Sequence, residues 1–257
     1  MPTSLEELSR AEALNFAESS RLLRESTGLV SEIETLYELL PPQLRWPPSG
    51  VNSDESISMI AAAHELGFCR RQLSLGVLTL FRAYRGDSLT HLRRAIESCA
   101  FAVRMMKHHN LIQDWQNAAM GDSAYARYRR SFKAKDLFPD SAHADHDPIL
   151  SELKDTYDLC SRLIHGSIFG LAGHFKHPQP ENASFEVNFF DLPENGELIN
   201  TYFLHLNAHK RMARLFEKSL KGYATGDFVA WEVRMNAVEA SLAVHSNTWS
   251  KRLPAKT

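Results

Sequence analysis

Cysteine is almost missing from this chain. Three of 257 residues are cysteine, Cys69, Cys99 and Cys160, and they stand far apart. An odd number at such spacing fits neither a disulfide framework nor a zinc motif. Glycine and proline are also sparse, at 12 and 11 residues, which excludes collagen-like and low-complexity classes. Neither sign of charge dominates, since 29 Lys and Arg face 31 Asp and Glu for a formal net charge of -2. That excludes a strongly basic nucleic-acid coat and an acidic tail protein, while leaving room for a local basic face. No apolar run approaches the roughly 20 residues of a membrane span. Residues 1–25 are charged throughout and lack the apolar core of a signal peptide. The phosphate-cradling patterns G-x-x-x-x-G-K-S/T and G-x-G-x-x-G do not occur, and neither does a nucleophile elbow. These absences predict a soluble, cytoplasmic protein with no membrane partner, no cofactor and no metal. Its cysteines are expected to be reduced and to serve as small apolar core residues.

What remains is a helical pattern. Ser4 with Glu6 and Glu7 opens a first helix to about residue 24, and a second covers 30–40. Residues 41–50 hold four prolines and cannot continue it. They form a strap that Leu44 and Trp46 would pin down. Ser53 caps a long helix to about residue 84 that carries Gly67 and Gly76, where close packing or a bend is expected. Residues 85–88 read as a stop and a new cap. Helices then follow over 89–109, 111–120, from 123 onward, 149–165, 197–224 and 228–249. Residues 168–175 and the alternating Ser184-Phe185-Glu186-Val187-Asn188-Phe189 predict a small β-hairpin within 168–190. The expected architecture is all-α, with an N-terminal helical arm and Pro-rich strap at 1–50 and a helical bundle at 51–250, together one compact unit.

Two of these helices carry a polar edge. On a wheel of 100° per residue, Leu89, Leu92, Ile96, Cys99, Ala100 and Val103 share one face of the first. Phe101 and Met105 lie opposite, so this helix is expected to be buried on two sides. Arg93, Glu97 and Arg104 line a flank, with Arg93 and Glu97 spaced to pair. In the second helix Ile149, Leu150, Leu153, Tyr157, Cys160 and Ile164 make the core face, and Tyr157, Ser161 and His165 step along one edge. His165 sits in the last turn before Gly166, where the helix dipole favours a charged imidazole. Two arrangements satisfy this pattern. One is a polar pocket walled by Arg93 and Glu97 on one side and by Tyr157, Ser161 and His165 on the other. The other is a buried structural network with Glu97 bridging Arg93 and His165.

The helix with Arg93-Arg94-Ala95-Ile96-Glu97, then Tyr157-x-x-x-Ser161-x-x-x-His165-Gly166, then an extended segment and long closing helices, resembles bacterial helical proteins related to the HEPN superfamily over residues 55–220. The resemblance implies a helical bundle and a homodimer. It also implies either a non-catalytic or ligand-sensing module, accessory to a defence or stress system, or a metal-independent ribonuclease. Active members carry an Arg, a spacer of four to six residues and then a His. At the matching positions before His165 this chain has Asp158, Leu159 and Cys160. The module is therefore the first expectation, with RNA or a small polar ligand as partner and Glu97, Tyr157 and Ser161 as binding residues. In the ribonuclease alternative His165 moves the proton and Arg93 stabilises phosphoryl charge.

Two further stretches draw attention. Residues 125–135 interleave Tyr125, Tyr128 and Phe132 with five cations, Arg127, Arg129, Arg130, Lys133 and Lys135. This reads as an amphipathic helix with a charged face, which is also the first place to look for an RNA-facing surface. His143-Ala144-Asp145-His146-Asp147 gathers ligand types in one loop but has no scaffold for a closed metal site, and reads as a solvated loop.

Overall fold

The computed structural model describes residues 4–46, 53–164, 195–225 and 228–252. Ten α-helices occur among them: α1 (Leu5–Leu22), α2 (Gly28–Leu39), α3 (Asp54–Phe81), α4 (Arg85–Lys107), α5 (Ile112–Gln116), α6 (Asp122–Ser131), α7 (Ala134–Leu137), α8 (Pro148–Ile164), α9 (Asn195–Leu220) and α10 (Val229–Arg252). The chain is all-α among the described residues. The hairpin expected at 168–190 lies outside them.

Caps set the starts of the first and third helices as their sequences require. Ser4 Oγ accepts from Glu7 N at 3.2 Å and Ser53 Oγ from Ser56 N at 3.1 Å, each satisfying an amide that has no partner within its helix. The start of α4 differs from expectation. It begins at Arg85, four residues early, because the chain reverses at Arg82–Tyr84 with Ala83 in the left-handed region at φ 68°. No glycine marks that reversal. Ser88, expected as a cap, is instead fully buried within the helix.

The core centres on α4, which packs against α3, α8 and α9. Met59, Ala62, Leu66, Cys69, Leu73, Val77 and Leu80 of α3 recur every three or four residues and are all buried, the stripe of a core-facing helix. The expected double burial of α4 holds, with Leu92, Ile96 and Cys99 on one side and Phe101 and Met105 on another, all buried. The arm shares this core, since Leu29, Ile33, Leu36, Tyr37 and Leu40 of α2 belong to it. Each such side chain, fully buried, contributes about 1.5–3 kcal/mol of apolar transfer.

Polar bonds fix how α2, α9 and α10 meet. Ser26, between α1 and α2, accepts from Tyr202 OH on its carbonyl at 2.7 Å and from Trp249 Nε1 on its hydroxyl at 3.0 Å. Trp231 Nε1 donates to the Leu36 carbonyl at 2.9 Å. The strap makes a 3-10 turn at Pro41–Gln43 and then pairs Leu44 with Ala224 in an isolated antiparallel bridge. Leu44 pins it, at 4% exposure, whereas Trp46 stays 42% exposed. All three cysteines are free and buried.

Candidate functional site

Helix α4 presents polar groups to two different neighbours. Toward α8, Arg93 Nη2 donates to Tyr157 OH at 3.1 Å, and the guanidinium carbon lies 5.1 Å from the ring centroid. This combines a hydrogen bond with a cation–π contact. Phe138 packs on the same ring with centroids 5.3 Å apart. Ser161 follows one turn along α8, but its Oγ donates to the Tyr157 carbonyl at 2.9 Å, so the hydroxyl's proton is used within the helix. Cys160 is buried beside them, and burial pushes its thiol up to about 12 against the opposing pull of Arg93. The α4–α8 seam thus brings together Arg93, Tyr157 and Ser161. His165 lies outside the described residues.

Glu97 goes elsewhere. It is exposed and lines a groove of about 270 Å³ with Arg94, not the seam that holds Arg93. The wheel explains why pattern alone leaves this open: Glu97 lies roughly 40° from Arg93 and roughly 60° from Arg94 on the other side. The groove runs between α3, α4 and the α5–α7 segment. Phe101 forms its floor, with ring centroids 4.4 Å from Phe132 and 6.3 Å from Trp115. Tyr128 stacks beside Phe132 at 5.2 Å. Glu65 enters from α3 with a side chain only 15% exposed, accepts from Ser98 Oγ, and has the exposed His64 Nδ1 3.5 Å away. Burial first, then Glu97, pushes the Tyr128 phenol up, with Glu65 adding to it. The arrangement offers flat apolar faces next to two carboxylates.

The stretch 125–135 builds one wall of this groove. Tyr128 and Phe132 turn toward Phe101, while Tyr125, Arg127, Arg129, Arg130, Lys133 and Lys135 are exposed. This is the amphipathic arrangement with a charged outer face. Arg104, expected on the flank of Arg93, donates instead to the carbonyls of Ser131 at 2.8 Å and Asp136 at 3.2 Å and so ties this segment to α4.

No family model, curated protein or solved structure matches the chain.

Two polar clusters beyond the seam and the groove have other roles. Asp145 accepts from His108 Nε2 at 2.6 Å, a bond that holds its carboxyl below the usual range, and its carbonyl accepts from Lys107 Nζ at 2.6 Å. Asp147 caps α8 by accepting from Ile149 N at 2.9 Å. Burial pushes the Asp147 carboxyl up, but Lys218 and the α8 amides outweigh it and hold it low. These bonds anchor the 137–148 loop. Among the described residues no three His, Cys, Asp or Glu side chains gather as a metal site.

Deeper in, His205 and His209 of α9 stack in parallel at 6.3 Å between centroids, and both are fully buried. Ser88 Oγ meets His205 Nε2 at 2.8 Å. Tyr37 OH donates to the His209 carbonyl at 3.0 Å and lies 3.1 Å from His209 Nδ1. A phenol has one proton, so donation to the carbonyl leaves its oxygen to accept from Nδ1 in the Nδ1–H tautomer. Burial lowers both histidines, His205 to about 3. They are neutral core groups.

Sequence reasoning missed Glu65, Ser98 and Trp115 of the groove and both buried histidines. Phe101 was the available signal, since an aromatic on the second face of α4 requires a partner surface there. Nothing in the spacing of Glu65 or of His205 and His209 marks them.

Proposed function

We propose that this chain is a non-catalytic, ligand-binding helical module of HEPN-like type, accessory in its setting to another activity. The observation that carries this reading is the placement of Arg93. The guanidinium that phosphoryl transfer would need is stacked on Tyr157 and bonded to its hydroxyl. The other Arg positions of the active pattern are Asp158, Leu159 and Cys160. A ligand has somewhere to go, because the groove beside α4 sets half-buried aromatic rings next to the carboxylates of Glu65 and Glu97.

The metal-independent ribonuclease is the second reading, favoured by the meeting of Arg93, Tyr157 and Ser161 on the edge of α8 that continues toward position 165. Substrate phosphate would then have to draw Arg93 from Tyr157 while His165 moved the proton. The test is cleavage of several RNAs in a chelator by the wild type, His165→Ala and Arg93→Ala. No cleavage by any of the three is expected. Cleavage by the wild type, lost in both variants with the helical spectrum intact, overturns the module reading. Homodimer formation belongs to the same proposal, and sedimentation of the full chain measures it directly.

A further inference from the structure

We infer that the groove between α3, α4 and α6 is a binding site for a small organic cation, one that carries N–H donors on a flat apolar body, such as an amidinium or guanidinium. This rests on the ligand-binding reading and names its ligand class.

Three features of the groove select that chemistry. Its floor and wall are ring faces: Phe101 meets Phe132 at 4.4 Å between centroids, and Tyr128 continues the wall from Phe132 at 5.2 Å. The negative face of an aromatic ring attracts a cation and stacks a flat body. Next to the rings stand two carboxylates. Glu65 is largely withdrawn from water, and among the described residues its oxygens meet only the Ser98 hydroxyl and the exposed His64 ring at 3.5 Å. An ionised carboxylate accepts at about four sites, so this one retains capacity that a donor-bearing cation would fill. Glu97 stands exposed at the mouth and makes no ion pair with a described residue.

Size and charge narrow the occupant. About 270 Å³ lies just under the range of drug-sized sites, which suits a compact molecule. The outer face of α6 carries exposed Arg127, Arg129 and Arg130, which opposes docking of a basic protein segment over the same mouth. Arg94, the one cation among the lining residues, is exposed at the rim. It stands one turn before Glu97 on α4, so its charge opposes a cationic ligand.

The experiment is isothermal titration of the full chain with benzamidine, against neutral benzamide of the same shape. Benzamidine is expected to bind at least tenfold more tightly than benzamide. Glu65→Gln and Glu97→Gln should each weaken it at least fivefold. Arg94→Gln should strengthen it about twofold by removing a like charge. Glutamine at 65 keeps an acceptor for Ser98, and circular dichroism of each variant confirms the fold. Equal binding of benzamide, unchanged affinity in both Glu variants, or no binding of benzamidine overturns the proposal. Tighter binding of an acetylated, amidated arginine peptide than of benzamidine overturns the small-molecule occupant. RNA cleavage by the wild type would end the module reading and leave this titration to decide the groove alone, so the two failures are distinct.

Discussion

Acidification from pH 7 to pH 5 should remove stability through His205 and His209. Both imidazoles are fully buried and neutral, and burial lowers each below its ordinary value of 6.5, His205 to about 3. A histidine held low in the fold contributes its stability fully above about pH 6.5. That stability is lost as pH falls through the unfolded value toward the folded one, because the unfolded chain takes up a proton that the native state refuses. The loss is about 1.4 kcal/mol per pH unit for each such group. Integrated from pH 7 to pH 5 with an unfolded value near 6.5, it comes to about 2 kcal/mol per histidine and about 4 kcal/mol for the pair. His91, half-buried and also lowered, acts in the same direction to a smaller extent. Asp145 and Asp147 are held low, so their contribution is lost only nearer pH 4. Burial holds Glu217 high, which works in the opposite sense.

Urea unfolding followed by circular dichroism at both pH values measures this. The wild type should lose about 4 kcal/mol, against about 2 kcal/mol for His205→Gln or His209→Gln. A domain of ordinary stability, roughly 5–15 kcal/mol, would feel the first loss strongly. Equal losses in the wild type and both variants would refute the assignment of buried, neutral histidines.

Other perturbations test other parts of the structure. Gly76→Ala should destabilise by up to about 2 kcal/mol, because a Cβ there would collide with the His205 ring; that is what overpacking of about 1–3 kcal/mol leaves after the roughly 1 kcal/mol gained in helix propensity. A stabilised Gly76→Ala protein would show that His205 moves aside freely. Native labelling with a thiol reagent should leave Cys69, Cys99 and Cys160 unmodified over minutes, since all three are buried and their thiols are pushed up; fast release of three equivalents would contradict the packing of α3, α4 and α8. A double-mutant cycle on Arg93→Ala and Tyr157→Phe should give a coupling of about 1 kcal/mol in thermal unfolding from the hydrogen bond, whereas additive effects would mean that this bond contributes nothing beyond the stacking that phenylalanine retains.

Periodicity made the long helices legible because their burial is regular. The stripe Leu89, Leu92, Ile96, Cys99 and Val103 of α4 and that of Leu150, Leu153 and Cys160 in α8 emerge from spacing alone and are buried together. The start of α4 was not legible, because the turn before it places Ala83 at positive φ, where a Gly or Asn would have announced it. The site was half legible. Tyr157 and Arg93 face each other as their edges suggest, but Glu97 falls between two flanks and only tertiary packing assigns it to the groove. His205 and His209 stand amid apolar residues of α9, and their partners come from α2 and α4, far away in the chain. No local pattern encodes such a pairing.

That pairing also bears on how the two sides of α4 are held. Ser88 begins the buried part of α4 and meets His205; Tyr37 of α2 meets His209 one turn further along α9; Gly76 of α3 leaves the space that the His205 ring occupies. A slip of α9 by one turn, about 5.4 Å, would break both side-chain contacts and drive the His205 ring against a side chain rather than a bare Cα. Apolar contacts alone tolerate such slips, since one leucine replaces another at similar cost. Buried hydrogen bonds do not, because an unpaired buried group costs about 1–3 kcal/mol. The histidines therefore set the register of α9 against α2, α3 and α4 more sharply than the surrounding leucines do. With α4 fixed in this way, Arg93 is turned toward α8 and Arg94 and Glu97 toward the groove.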